Sequence, residues 1–195
     1  MLPGFVSCSA DRAAEWVRKG YWEGHTVADI LHRAASATPD KVAVIEDERS
    51  ITYADLSAAV ERTAASLLER GLRPLERVVM QLPNSIEFVV AFLALCRIGA
   101  IPVMALRAHR YSEIRHFVDA SDAVAYMVPA SFHHFDYRLL AEEIQRDCPG
   151  LRQVFVLGDP RVGQVDLREV IEAQRDPAGQ AAALECARVD PTEVA

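Results

Sequence analysis

The chain has 195 residues, 51% of them hydrophobic and 25% charged, which is enough apolar content for a packed core and excludes the polar bias of disorder. Its formal charge is -7, with acids and bases interspersed, so it lacks the basic footprint that holds a nucleic-acid backbone. No segment is long and apolar enough to cross a bilayer, no basic region followed by an apolar one opens the chain, and Cys8, Cys96, Cys148 and Cys186 form no CxxC pair; a cytoplasmic protein with reduced thiols is expected.

Residues Ser9 to Lys19 read as a short helix with Ala13, Trp16 and Val17 on one side, ending at Gly20, after which Tyr21 and Trp22 pin the arm. Thr26 followed by Asp29 has the spacing of a capping box, opening a helix whose Val27, Ile30, Leu31 and Ala34 face inward until Thr38-Pro39. Lys41 to Glu46 alternates as a strand, Asp47-Glu48-Arg49 is a turn, and Ile51-Thr52-Tyr53 returns as the second strand of a hairpin. Thr52 and Asp55 repeat the capping spacing before a long helix carrying Leu56, Val60, Ala64, Leu67 and Leu68, which stops at Gly71.

Arg77 to Leu106 predicts a β-α-β unit with parallel, neighbouring or nearly neighbouring strands. Val78, Val79, Met80 and Leu82 form the first strand, and Pro83-Asn84-Ser85 breaks it and starts a helix. Ile86, Val89, Val90, Leu93 and Cys96 then recur at helical spacing up to Gly99, and Ile101, Val103, Met104 and Leu106 read as a second buried strand. Beyond it come a polar, basic connection from Arg107 to Tyr111, a helix from Ser112 to Ser121 and a strand from Ala123 to Val128. A helix from Phe135 to Cys148 follows, with Leu139, Leu140 and Ile144 inward, then a strand from Val154 to Leu157, a loop from Gly158 to Gly163 and a short helix from Leu167 to Ile171. Asp176 to Glu193 is polar and Ala-rich with little periodicity and reads as a linker. The expected fold class is α/β: a mainly parallel sheet flanked by helices, with an N-terminal helical arm and a small hairpin. The divisions are 1–40 (arm), 41–175 (α/β subdomain) and 176–195 (linker).

Chemistry is sparse in this pattern. Gly158 to Gly163 has two glycines but neither GxGxxG spacing nor a Walker lysine, and is read as a surface loop. Of the six histidines, His133 and His134 are adjacent, and His109 and His116 flank a short helix without a carboxylate or cysteine at ligand spacing; each reads as solvated or locally hydrogen-bonded. Glu142-Glu143 and Asp119/Asp122 read as solvated helix faces. Asn84-Ser85 at a helix start is the tempting anion contact, but its polar groups are expected to satisfy their own first turn.

Four stretches together resemble the start of an adenylate-forming enzyme, the superfamily of acyl-CoA ligases, peptide-synthetase adenylation domains and aryl-acid AMP ligases. Ile51-Thr52-Tyr53-Ala54-Asp55-Leu56 is similar to its early (L)TYxEL motif, and Leu82-Pro83-Asn84-Ser85 with Glu87-Phe88 to its second. Leu95-Cys96-Arg97-Ile98-Gly99-Ala100-Ile101-Pro102-Val103 is similar to LKxGaxxvPl. Pro102 to Leu106 running into Ala108-His109-Arg110 and Ser112-Glu113-Ile114 resembles the aryl-acid group, as do Gly20-Tyr21-Trp22 and Phe135-Asp136-Tyr137-Arg138; Arg107 departs from the proline of that pattern.

The resemblance implies ATP- and Mg2+-dependent activation of 2,3-dihydroxybenzoate or salicylate to an aryl-AMP and pyrophosphate, then loading of an aryl carrier protein's phosphopantetheine thiol in siderophore (nonribosomal peptide) biosynthesis. It also implies that the phosphate loop, the adenine contacts, the acid pocket and the catalytic lysine follow Asp190-Pro191-Thr192-Glu193-Val194-Ala195. The chain is therefore expected to be the N-terminal subdomain, inactive alone. No catalytic, cofactor-binding or metal-ligating residue is assigned within it, and none of the cofactors is expected to be held by it. Self-association through an exposed sheet edge or apolar surface is expected, with no nucleic-acid or membrane partner. The alternatives are an acyl-CoA ligase or amino-acid adenylation domain, and a non-catalytic interaction module.

Overall fold

The computed structural model describes residues 8–174 and 176–187. The arm is helix α1 (Ala10–Arg18) followed by α2 (Val27–Ala37). Thr26 caps α2 as its spacing predicts: Asp29 N donates to Thr26 Oγ1 at 3.1 Å, and Thr26 N donates to Asp29 Oδ2 at 2.8 Å. Strands β1 (Val42–Glu46) and β2 (Arg49–Thr52) form the expected antiparallel hairpin. Thr52 then starts α3 (Tyr53–Glu69), accepting from Asp55 N at 3.1 Å. Gly71, at φ 94, reverses the chain after α3, a backbone region that costs an L side chain energy and glycine nothing.

The central sheet takes β3 (Arg77–Met80), β4 (Ile101–Met104), β5 (Ala125–Pro129), β8 (Gln153–Leu157) and β9 (Val165–Asp166) in the order β4-β3-β5-β8-β9, every pair parallel. Between these run α4 (Ile86–Arg97), α5 (Tyr111–Ser121), the two-residue strands β6 (Ser131–Phe132) and β7 (Phe135–Asp136), α6 (Tyr137–Asp147), α7 (Leu167–Glu172) and α8 (Pro177–Cys186). Successive strand residues alternate between two cores. Val78, Met80, Ala125, Met127 and Phe155 pack with α3, α4 and α7, whereas Val79, Tyr126, Val128, Val154 and Val156 pack with α5 and α6. Burial on both faces is why these strands read as unbroken apolar runs. The expected β-α-β unit is β3-α4-β4, with Val79 in register with Val103.

Several expectations need correction. Strand β4 lies at the sheet edge and ends at Met104, so Met104 (51% exposed), expected buried, faces outward, and Leu106 (68%), also expected buried, lies exposed in the loop beyond it. On α2 only Leu31 is buried; Val27 and Ile30 are exposed because the helix meets α3 and α4 along one narrow side. Leu139 on α6 is likewise exposed. Phe135 belongs to β7 instead of opening α6, because His133 and His134 make a tight hairpin turn before it. Within the stretch expected to be a linker, residues 177–186 form α8, started by Asp176, whose Oδ2 accepts from Gly179 N at 2.9 Å. Leu184 and Ala187 are buried in the α3–α4 core. The expected approach to a phosphate loop at 190–195 lies outside the described residues.

Candidate functional site at the C-terminal end of the sheet

In an open parallel sheet, connections leave to opposite faces where the strand order reverses, opening a crevice at the carboxyl ends of the strands. Here the reversal lies between β3 and β5. Three connections meet near it: Gln81 to Ser85, Ala105 to Arg110, and the β6–β7 hairpin.

The start of α4 is already supplied with acceptors. Phe88 N donates to Ser85 Oγ at 3.1 Å, as expected of that cap, and Ile86 N donates to Glu46 Oε2 at 2.9 Å. Arg49 links Glu46 at 2.5 Å to Glu87 at 2.8 Å, so the hairpin is fastened to the helix by charge. Burial works against ionising Glu87, but hydrogen bonds from Arg49, from its own backbone N–H and from Ser85, with the positive charge of Arg49, outweigh it and hold the carboxyl below its usual value. A carboxylate of the protein itself thus occupies the place where a phosphate would sit.

The Ala105 to Arg110 loop is held from beneath by Gln81, which is fully buried. Gln81 Nε2 donates to Leu106 O at 2.8 Å and to His109 O at 3.0 Å, and its Oε1 accepts from the buried Tyr126 hydroxyl. Burial pushes the Tyr126 phenol up, which keeps the donor proton in place. Tyr137 OH donates to Arg107 O at 2.8 Å, and Leu106 N donates to His109 Nδ1 at 3.1 Å. Arg110 Nη1 closes the loop through Arg107 O at 2.7 Å and His109 O at 2.8 Å.

Above the loop stands the β6–β7 hairpin, where Phe132 and Phe135 are directly opposed and His133 and His134 turn the chain with φ 46 and φ 63. Arg107 lies 4.1 Å over the Phe132 ring and Arg110 lies 4.0 Å over the Phe135 ring. Cations fixed in this way can bind and orient an anion.

The other residues singled out in the sequence are dispersed. His133 and His134 are exposed on the turn, and His109 sits edge-on to Phe117 at 5.1 Å. His116 is exposed on α5, tilted to Phe117 at 6.2 Å. Asp119 pairs with Arg115 at 3.4 Å, Asp122 with Arg77 at 3.3 Å and Glu142 with Arg161 at 2.5 Å, while Glu143 is exposed. Gly158, at φ 117, opens its loop where an added Cβ would come within 3.0 Å of Ala130 Cβ, so close packing accounts for it without a phosphate. Among the described residues no three His, Cys, Asp or Glu side chains group to hold a metal ion. Gln81 and Tyr126 were missed in the sequence; the signal was a lone polar residue on each of two otherwise apolar stretches.

A model described as "AMP-binding enzyme" matches residues 31–194. The chain is 49% identical to triostin synthetase I of Streptomyces triostinicus over 159 residues, covering 82% of the chain and 29% of that protein. It is 44% identical over 164 residues to the salicyl-AMP ligase / salicyl-S-ArCP synthetase of Mycobacterium tuberculosis, with the same 82% and 29% coverage. Among solved structures, apo MbtA of Mycobacterium smegmatis superposes with a TM-score of 0.82 at 40% identity, over 89% of this chain and 32% of that one. The chain thus spans less than a third of the length of these two sequence relatives.

Proposed function

The chain belongs to the AMP-binding enzyme family, and from that premise we propose that it is the N-terminal part of an aryl-acid adenylating enzyme. The whole enzyme would activate salicylate or 2,3-dihydroxybenzoate. The carboxylate oxygen attacks the α-phosphorus of ATP as the bond to pyrophosphate breaks, giving aryl-AMP. The carrier protein's phosphopantetheine thiolate then attacks the acyl carbon, AMP leaves, and the aryl thioester enters siderophore or related nonribosomal peptide assembly.

The observation that carries this reading is the 44% identity to a salicyl-AMP ligase across 82% of the chain. The same reading keeps residues 1–40 as a helical arm, 41–175 as the α/β subdomain and 176–195 as a connecting segment that includes α8. ATP and Mg2+ serve the whole enzyme. The first-turn N–H groups of α4 already donate to Glu46 and Ser85, and no step is assigned to a side chain here.

The test is pyrophosphate exchange into ATP by the natural polypeptide that contains this chain, screened with salicylate, 2,3-dihydroxybenzoate, fatty acids and amino acids. Exchange dependent on one of the aryl acids is expected, and preference for fatty or amino acids overturns the reading. The 195-residue chain alone is expected to show no exchange; exchange by a sequence-verified sample would place catalytic groups within it.

A further inference from the structure

We propose that the surface built from Arg107, Arg110 and the β6–β7 hairpin docks an acidic segment of a partner protein that carries an aliphatic anchor. This docking does not depend on the reaction. Arg49, Arg77, Arg97, Arg138, Arg152 and Arg161 each reach a carboxylate within ion-pair distance. Among the described residues Arg107 and Arg110 reach none, as is also true of Arg12, Arg18, Arg62, Arg70, Arg73 and Arg168, but only the first two lie over an aromatic ring. The nearby Glu113 carboxylate accepts from the Arg110 backbone N–H at 3.0 Å, and Asp136 is paired with Arg138 at 2.8 Å. Each arginine is instead laid on an aromatic ring, with Arg107 and His133 sharing Phe132 at 4.1 Å and 4.2 Å. Stacking removes rotamer freedom before any partner arrives, so less entropy is lost on binding.

The neighbouring surface points to a protein segment in preference to a small anion. A groove of about 470 Å³ is lined by Arg110, Tyr111, Phe135, Leu139, which is 50% exposed, and the carboxylates Asp136 and Glu143. An exposed leucine beside an aromatic ring offers an aliphatic side chain a seat, and arginine–aromatic surfaces of this kind are favoured at interface centres. Arg110 and Glu143 both line the groove, so the partner's carboxylates are drawn to Arg110 and kept from Glu143.

The experiment measures fluorescence anisotropy of the chain with a labelled amphipathic peptide of glutamate and leucine, against a counterpart with glutamine in place of glutamate, across a salt series. Binding of the acidic peptide that weakens with salt is expected. Arg107→Gln should weaken it about two- to fivefold and flatten the salt dependence, as for an exposed charge pair. Leu139→Ser should weaken it without changing the salt slope. Arg168→Gln removes an equal charge from α7, on the opposite face, and should leave binding unchanged. Equal binding of the glutamine peptide, indifference to Arg107→Gln in a variant with the parental melting temperature, or full displacement by millimolar inorganic phosphate would overturn the proposal. So would sedimentation showing that a second copy of the chain covers the surface.

Discussion

Gln81 is the side chain on which the Ala105 to Arg110 loop depends. Replacing it with leucine would leave two loop carbonyls without their donor and the buried Tyr126 hydroxyl without its acceptor. Gln81→Leu is expected to destabilise the chain by about 2–3 kcal/mol in urea unfolding, with faster amide exchange across residues 105–110. Tyr126→Phe, which removes one donor only, should cost about 1 kcal/mol. Arg49 supports a second expectation. The folded-state value of Glu87 lies below that of the unfolded chain, so its ionised contacts stabilise the fold at neutral pH. That contribution disappears as pH falls through the folded-state value. Arg49→Ala should therefore cost about 1 kcal/mol at neutral pH and progressively less in acid, and an NMR titration should find the Glu87 carboxyl moved upward, since burial remains while its partner is gone.

Helix α8 shows how an element can be silent in a sequence. Its segment is alanine-rich and offers little periodicity, yet Asp176 caps it and Leu184 is inserted beside α3 and α4. Arg97 Nη1 also reaches Leu184 O at 3.5 Å. Leu184→Ala is expected to cost about 2–3 kcal/mol in urea unfolding if the helix is packed as described, against a few tenths for a solvated linker. The β6–β7 hairpin was hidden for a different reason. Two histidines in the left-handed region form a turn usually signalled by asparagine and glycine, so nothing local marked it. By contrast, α2, α3 and α4 were legible because each begins with a threonine or serine whose oxygen accepts from a first-turn N–H.

At the scale of the whole molecule, the edge of β4, unpaired among the described residues, and the exposed Met104 and Leu106 form the face on which copies of this chain are expected to associate. Sedimentation should show concentration-dependent association, and Met104→Lys should reduce it without lowering stability. A strictly monomeric parental chain would remove this expectation.

Residues 77 to 106 establish a parallel β-α-β unit by themselves, because apolar periodicity, caps and a terminal glycine are local properties that act before any tertiary contact forms. The same residues carry most of the family resemblance, which the match over 31–194 bears out. They do not say which strand lies at the edge, and so Met104 and Leu106 were placed inside. That position is set by where β5 and β8 join the sheet, on the far side of β3. Nor do they show that Gln81 lies under one loop and that Arg107 and Arg110 stack on another, because residues 25 to 45 positions apart in sequence meet only when the strands align. The sequence by itself determined the elements and the family; the tertiary structure decided which surfaces are free, because exposure depends on the neighbours each element finds.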